Sequence, residues 1–345
     1  MAKRQVTTTS EATPAPSLSW LPAGWSEQEE RFLARLRDAR SILVVSHARP
    51  DADALGSTAA AVLTLRRAGW QAAGWSNDGI PPSLAFLVDP TLFVADAGGP
   101  YDLYLLVDVC DVPRVGAGFP AGVDRSALAC IDHHLTSPAQ LTDAYLHDPE
   151  AASTSELIYR LAVALQVPLD RALALPLYAA LVADTGGFRY ASTHAGTMEL
   201  AQLLLSTGLD VWSVTSQIFE NYPADRLAIL ARVLSTLERR AGGKLGVLRL
   251  DAATAALAGG DATMLHGLVN YARGVQGVEV AVLFQELGPH SWELSFRSRG
   301  RVDVSQVAAG LGGGGHRNAA GARVEGDVEA CLGALEREVL RVLDG

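Results

Sequence analysis

The chain has 345 residues, enough for two domains, and 49% hydrophobic against 19% charged residues is the composition of a core-forming protein, not a disordered one. A formal net charge of −10 argues against a long, sequence-blind grip on duplex nucleic acid, which needs a basic surface, yet allows a short anionic substrate if a metal ion supplies local positive charge. Three widely spaced cysteines, Cys110, Cys130 and Cys331, with no CxxC pattern provide neither a disulfide framework nor a zinc cluster.

Taken in chain order, residues 1–24 lack the apolar middle of a secretory signal and are rich in Thr, Ser, Ala and Pro, which reads as a disordered tail. No apolar run is long enough to span a bilayer, so the expectation is a soluble, cytoplasmic protein with no membrane partner. "SEQEERFLARLRDA" (26–39) places Ser26 three residues before Glu29, a capping-box pattern, and Phe32, Leu33 and Leu36 on one helical face. A strand at 42–45 and a helix at 57–69, ending near Gly69, come next. "YDLYLLVD" (101–108) and "SALACID" (126–132) are two more apolar strands, each ending in an aspartate. Residues 153–165, 170–184 and 195–220 are helix-like. Strands alternating with helices predict a parallel α/β sheet covered on both faces.

Beyond about residue 240 the pattern changes. "KLGVLRL", "VEVAVLF" and "SWELSFR" are strand-like, the last two alternating with the period of two expected of a half-covered sheet, and 327–343 is an amphipathic helix. The predicted organisation is a 25–214 catalytic α/β domain, a helical linker at 215–242 and a smaller α+β domain at 243–345.

Three apolar strands each deliver carboxylates near their C-terminal ends: Asp51 and Asp53, then Asp108, then Asp132 followed by His133 and His134. In a parallel sheet those ends share one edge, where ligands bind. Asp184 ends a helix-like run before "TGGF". An isolated Asp after a strand is usually a helix cap. Four clusters of one chemistry are another matter, because crowded carboxylates repel unless cations compensate them. Carboxylates with imidazoles and no cysteine suit Mn²⁺ or Mg²⁺, and two ions bridged by a shared carboxylate form a phosphoryl-transfer site.

The stretches "SHARPDADALGS", "LLVDVCD", "DHH" and "ADTGGF", in that order, resemble the DHH phosphoesterase superfamily. "GLVNYARGVQGVEVAVLFQE" and "FRSRGRVDVSQVAAGLGGGGHRNAAG" are similar to the DHHA1 domain that follows it in one branch. The resemblance runs from about residue 40 to 325 and is strongest to the nanoRNase/pAp phosphatase group and the stand-alone cyclic-di-AMP phosphodiesterases. It implies an N-terminal parallel-sheet DHH domain, a C-terminal α+β DHHA1 domain and two divalent ions, Mn²⁺ before Mg²⁺. His47, Asp51 and Asp108 would hold one ion, and Asp53, Asp108, His133 and Asp184 the other. Asp132 would orient a neighbour, and His134 would stabilise charge at the scissile phosphate.

In the second domain, "GGGGH" offers backbone N–H groups to an anion. Gly312, Gly313, Gly314, Gly315, His316 and Arg297 are the expected substrate grip, with Arg299 less secure. Arg49 and Arg114 are as well explained by solvent as by phosphate, and His147, His194, His266 and His290 by local structure. The expected activity is hydrolysis of short oligoribonucleotides such as pApA to mononucleotides, with pAp phosphatase or cyclic-di-AMP phosphodiesterase activity as alternatives. An inorganic pyrophosphatase is disfavoured by the glycine-rich domain, and a non-catalytic nucleotide-binding module by the full ligand set. No long duplex DNA is expected as a partner. Oligomeric state is left open, a homodimer being common among proteins of this resemblance.

Overall fold

In the computed structural model of the chain, residues 18–21, 24–135 and 137–344 are described. Most of the stretch read as a tail lies outside them. Residues 18–21 are packed, however: Leu18 is buried, and the Ser19 hydroxyl donates to Glu199 at 2.6 Å. The chain divides into two units, Met1–Asn221 and Tyr222–Gly345.

The first unit opens with α1 (Glu27–Asp38), whose capping box closes with both bonds, Glu29 N–H to Ser26 Oγ and Ser26 N–H to Glu29 Oε2. Five strands follow in one sheet: β1 (Ser41–Val45), β2 (Gln71–Trp75), β3 (Leu103–Val107), β4 (Leu128–Asp132) and β5 (Tyr145–His147). Their order is β2-β1-β3-β4-β5 and every pairing is parallel. Alternation sends Ile42, Val44, Leu105 and Ile131 to one face, beneath helices, and Leu43, Val45, Leu106 and Cys130 to the other, beneath Trp75, Val115 and Phe119. Both faces are therefore covered.

The helices of this unit are α2 (Ala52–Arg67), α3 (Val112–Val115), α4 (Thr154–Ala164), α5 (Arg171–Asp184), α6 (Ala195–Leu205) and α7 (Val211–Phe219). α3 was not expected from sequence, and two others differ from the sequence reading in their bounds. α2 starts five residues early, because Asp51 acts as its N-cap, accepting from Ala54 N–H at 3.0 Å. Asp53 is thus helical and buried, not part of a loop. The 195–220 stretch is broken into α6 and α7 by Gly208, whose φ of 88° ends the first helix.

The second unit holds α8 (Ala224–Ser235), β6 (Glu238–Arg240), β7 (Leu245–Leu250), α9 (Ala252–Ala256), α10 (Val269–Arg273), β8 (Val280–Gly288), β9 (Ser291–Ser298), α11 (Val304–Gly310), β10 (Gly314–His316), β11 (Ala319–Glu325) and α12 (Val328–Asp344). The stretch read as a linker is shared out, α7 going to the first unit and α8 to the second. The sheet order is β10-β11-β9-β8-β7-β6, antiparallel except for β7 with β8. It is not half-covered. Val282, Phe284, Leu294 and Phe296 meet α11 and α12, while Leu248, Ala281 and Leu283 on the reverse face meet α8 and α10. The apolar residues between the alternating positions account for this. Among the described residues, no helix is long and apolar enough to cross a membrane.

Candidate metal centre

Because β1, β3 and β4 are adjacent and parallel, their C-terminal ends open on one edge of the sheet. His47 stands in the turn after β1, and Asp51 and Asp53 in the start of α2. Asp108 follows β3 directly, with a left-handed φ of 59° and its N–H bonded to Ile131 O. A positive φ is uncommon outside glycine, although aspartate tolerates it better than most residues, and here it aims the side chain into the cluster. Asp132 ends β4, and His133 and His134 leave the sheet. Asp184 arrives from another direction, at the last position of α5, which is ended by left-handed residues at Gly186, Gly187 and Phe188.

The side chains converge. His47, Asp51 and Asp108 form one group whose ligand atoms lie within 4.8 Å of one another, and Asp53, His133 and Asp184 form a second. Asp108 stands between them. Its Oδ2 is 3.4 Å from His47 Nε2, and its Oδ1 is 3.7 Å from His133 Nε2. His133 Nε2 is also 3.3 Å from Asp184 and 3.8 Å from Asp53.

The imidazole tautomers follow from their partners. His47 Nδ1 lies 2.9 Å from Ala48 O, and His133 Nδ1 lies 3.0 Å from Ala151 O. A carbonyl only accepts, so each Nδ1 carries the proton, and in the neutral ring each Nε2 presents a lone pair to the cluster. His134 is held differently. Its Nδ1 donates to the buried Asp132 at 2.6 Å, and its backbone carbonyl accepts from His147 Nε2 at 2.6 Å. Asp132 and His147 therefore fix His134 at side chain and backbone.

Burial opposes charge throughout the cluster, and neighbouring charges decide the outcome. Burial disfavours the His47 imidazolium, but the hydrogen bond to Asp108 and the charges of Asp51 and Asp108 outweigh it and raise His47 to about 9. His133 also reaches about 9, burial being overcome by Asp184, Asp53 and Asp108. Asp108 is pulled down to about 2 against its burial by His47, His134 and His133. Asp53 is pushed up to about 7 by burial and then by the Asp108 charge, and Asp184 well above its usual range by burial and Asp53. Protons thus supply the positive charge that this donor set demands. Divalent cations would do so better, and hard carboxylates with imidazoles and no thiolate are the ligands Mn²⁺ and Mg²⁺ prefer.

A sign follows. Near pH 7 both imidazoles hold protons that a coordinated imidazole must lose, and Asp53 is partly protonated. Adding Mn²⁺ to metal-free protein is expected to release protons and to bind more tightly as pH rises toward about 9. Calorimetry in buffers of different ionisation enthalpy measures this. Proton uptake, or a pH-independent affinity, would contradict it.

The residues expected from sequence to hold metal are thus brought together. Ser57, Ser153 and Thr154 were missed: their hydroxyls and the Thr154 N–H surround Asp53 and Asp108. The available signal was Ser153 three residues before Glu156, a capping pattern that reads as structure. Arg297 and the glycine run belong to the second unit. Arg297 lies on β9, where its guanidinium donates to Phe296 O at 2.8 Å. Gly312 follows α11 with a φ of 78°, and Gly314 and Gly315 open β10, so half of the expected loop is strand. The His316 side chain lies outside the described residues.

Residues 41–181 match the model of the DHH family, N-terminal domain, and residues 250–341 that of the DHHA1 domain. The bifunctional oligoribonuclease and PAP phosphatase NrnA of Thermus thermophilus is 30% identical over 308 residues, covering 87% of this chain and 90% of that protein. The chain belongs to the DHH family. As a DHH phosphoesterase it is a hydrolase acting on phosphate-ester bonds. The DHH fold is also seen in an exopolyphosphatase-related protein from Bacteroides fragilis, which is 24% identical, with a TM-score of 0.79 over 91% of this chain and 96% of its own. RecJ of Thermus thermophilus, solved in complex with Mn²⁺, shares the fold at 17% identity, with a TM-score of 0.53 over 96% of this chain and 57% of RecJ.

Proposed function

We propose that this DHH protein is a two-metal phosphodiesterase that hydrolyses short oligoribonucleotides such as pApA to mononucleotides and removes the 3′-phosphate of pAp. The observation that carries the reading is Asp108, which turns one carboxylate oxygen to each of two donor groups. Near-complete coverage of a relative named for both activities supports the substrate class.

His47, Asp51 and Asp108 would hold one ion, and Asp53, Asp108, His133 and Asp184 the other. Such ions would supply positive charge to the phosphoryl oxygens and lower the pKa of a bound water. Asp132 holds Nδ1 of His134 and so orients the ring, which would stabilise negative charge as it builds on a phosphoryl oxygen. In the second unit, Arg297 and the Gly312–Gly315 backbone would supply nucleotide-binding groups.

The glycines separate two roles. A Cβ on Gly313 would sit 2.2 Å from Gly321 O, and one on Gly315 would sit 2.5 Å from Ala320 Cα, so both are needed for β10 to approach β11. A Cβ on Gly314 meets nothing within 4 Å. G313A and G315A are therefore expected to lower the melting temperature. G314A is expected to leave it unchanged and to raise KM for pApA. A G314A enzyme with wild-type KM would remove the glycine run from the substrate site.

The test of function is a side-by-side Mn²⁺ assay on pApA, pAp, a five-nucleotide RNA, cyclic di-AMP and pyrophosphate. Turnover of pApA, the five-nucleotide RNA and pAp, above the cyclic dinucleotide, is expected. Fastest turnover of cyclic di-AMP would replace the substrate, and turnover of pyrophosphate alone would remove the diesterase reading.

A further inference from the structure

A carboxylate that bridges two ions must keep its plane fixed, because each oxygen has a different partner. The backbone does not do this. The terminal torsion of aspartate is broad, so Asp108 can turn about Cβ–Cγ at little cost. The left-handed backbone at Asp108 aims the side chain but leaves that rotation free.

Apart from the proposed metal ligand His47, whose Nε2 lies 3.4 Å from Oδ2, Thr154 restrains it. Thr154 Oγ1 donates to Asp108 Oδ1 at 3.1 Å, and Thr154 N–H donates to Asp53 Oδ2 at 3.0 Å. Thr154 is fully buried, so neither bond competes with water. Ser57 and Ser153 donate to Asp53 Oδ1, at 2.8 and 2.9 Å. Among these residues Thr154 alone is bonded to carboxylates of both strand-end clusters.

Thr154 is itself anchored. It is the first residue of α4, and Glu156 in the same turn is fully buried with three partners: Ala152 N–H at 3.2 Å, Thr197 Oγ1 at 2.7 Å and His194 Nε2 at 3.3 Å. His194 also caps α6, its Nδ1 accepting from Thr197 N–H, which leaves Nε2 as the donor to Glu156. The start of α4 is thereby clamped to the start of α6.

The geometry points to Thr154 as a positioning residue that locks the Asp108 carboxylate in the orientation that bridges two ions and ties it to Asp53. This inference rests on the two-ion reading above. The hydroxyl acts on Asp108 and the backbone N–H on Asp53, so T154V separates the two contacts: it removes the first and keeps the second. T154S restores the hydroxyl.

The test uses the full chain, stripped of metal and titrated with Mn²⁺, with affinity read by calorimetry and ion pairing by electron paramagnetic resonance. Wild type is expected to show the exchange-coupled signal of a carboxylate-bridged pair. T154V is expected to bind Mn²⁺ about tenfold more weakly and to lose the coupled signal at equal loading, and T154S to recover both. The metal-free melting temperature of T154V is expected to stay close to wild type. A T154V protein with wild-type affinity and signal overturns the inference, and so does a T154S protein as impaired as T154V. Loss of metal-free stability in parallel with affinity would assign Thr154 to the fold and overturn it as well. If wild type itself gives no coupled pair, or if D108A keeps one, the two-ion reading fails and the Thr154 inference fails with it.

Discussion

Replacing Asp108 by alanine is expected to reduce pApA hydrolysis by about 10³-fold or more, since loss of the shared ligand removes charge stabilisation worth several kcal/mol at both ion sites. The fall should appear in kcat, because the ions act most strongly on the charge of the transition state. D108A should still fold. Asp108 sits after β3, not within it, so its loss breaks no strand pairing, although His47 and His133 lose the carboxylate they share. Circular dichroism and a melting curve on metal-free D108A check that half of the expectation. An enzyme that keeps more than about a tenth of its kcat would mean that Asp108 is not the bridging ligand.

The second large effect concerns packing. A Cβ on Gly56 would lie 2.6 Å from Pro176 O and 3.1 Å from Ala180 Cβ, where α2 crosses α5. The carbonyl is backbone and has no rotamer to escape into. G56A is expected to force the helices apart at a cost of about 3 kcal/mol, which for a unit of this size lowers the melting temperature by roughly 10 °C. Function should fall too, because α2 carries Asp51 and Asp53 and α5 ends in Asp184. Weaker Mn²⁺ binding by G56A is therefore expected alongside the lower melting temperature. A variant that melts within about 1 °C of wild type would show that the crossing has slack.

The convergence of these side chains on one sheet edge was legible in the sequence, for physical reasons. Asp108, Asp132, His133 and His134 follow strands so apolar that their depth could be inferred, and parallel order brings such ends to one edge. What the carboxylates need in order to stay put was hidden. Ser153 and Thr154 are hydroxyl residues at a helix start, where capping is the common explanation, and only tertiary packing of α4 turns them onto Asp53 and Asp108, whereas Ser57 reaches Asp53 from one turn further along α2. Asp51 was read as a ligand and not also as a cap, which set the start of α2 five residues late.

Five strands were missed, the two of the first sheet for want of side-chain signal. β2 is "QAAGW", short and built on alanine and glycine, and β5 spans three residues. Their place depends on pairing with β1 and β4, a tertiary gain that no local window contains. The period-two pattern in "VEVAVLF" was real, yet Ala281 and Leu283 between the alternating positions were the sign of a second covered face.

The central claim is that one carboxylate is shared by two ions. Anomalous diffraction at the manganese edge, on crystals of the full chain soaked in Mn²⁺, tests it most directly. Two peaks are predicted, about 3.5–4 Å apart, one within bonding distance of His47, Asp51 and Asp108 and the other of Asp53, Asp108, His133 and Asp184. A single peak at saturating Mn²⁺, or two peaks of which only one touches Asp108, would contradict the account.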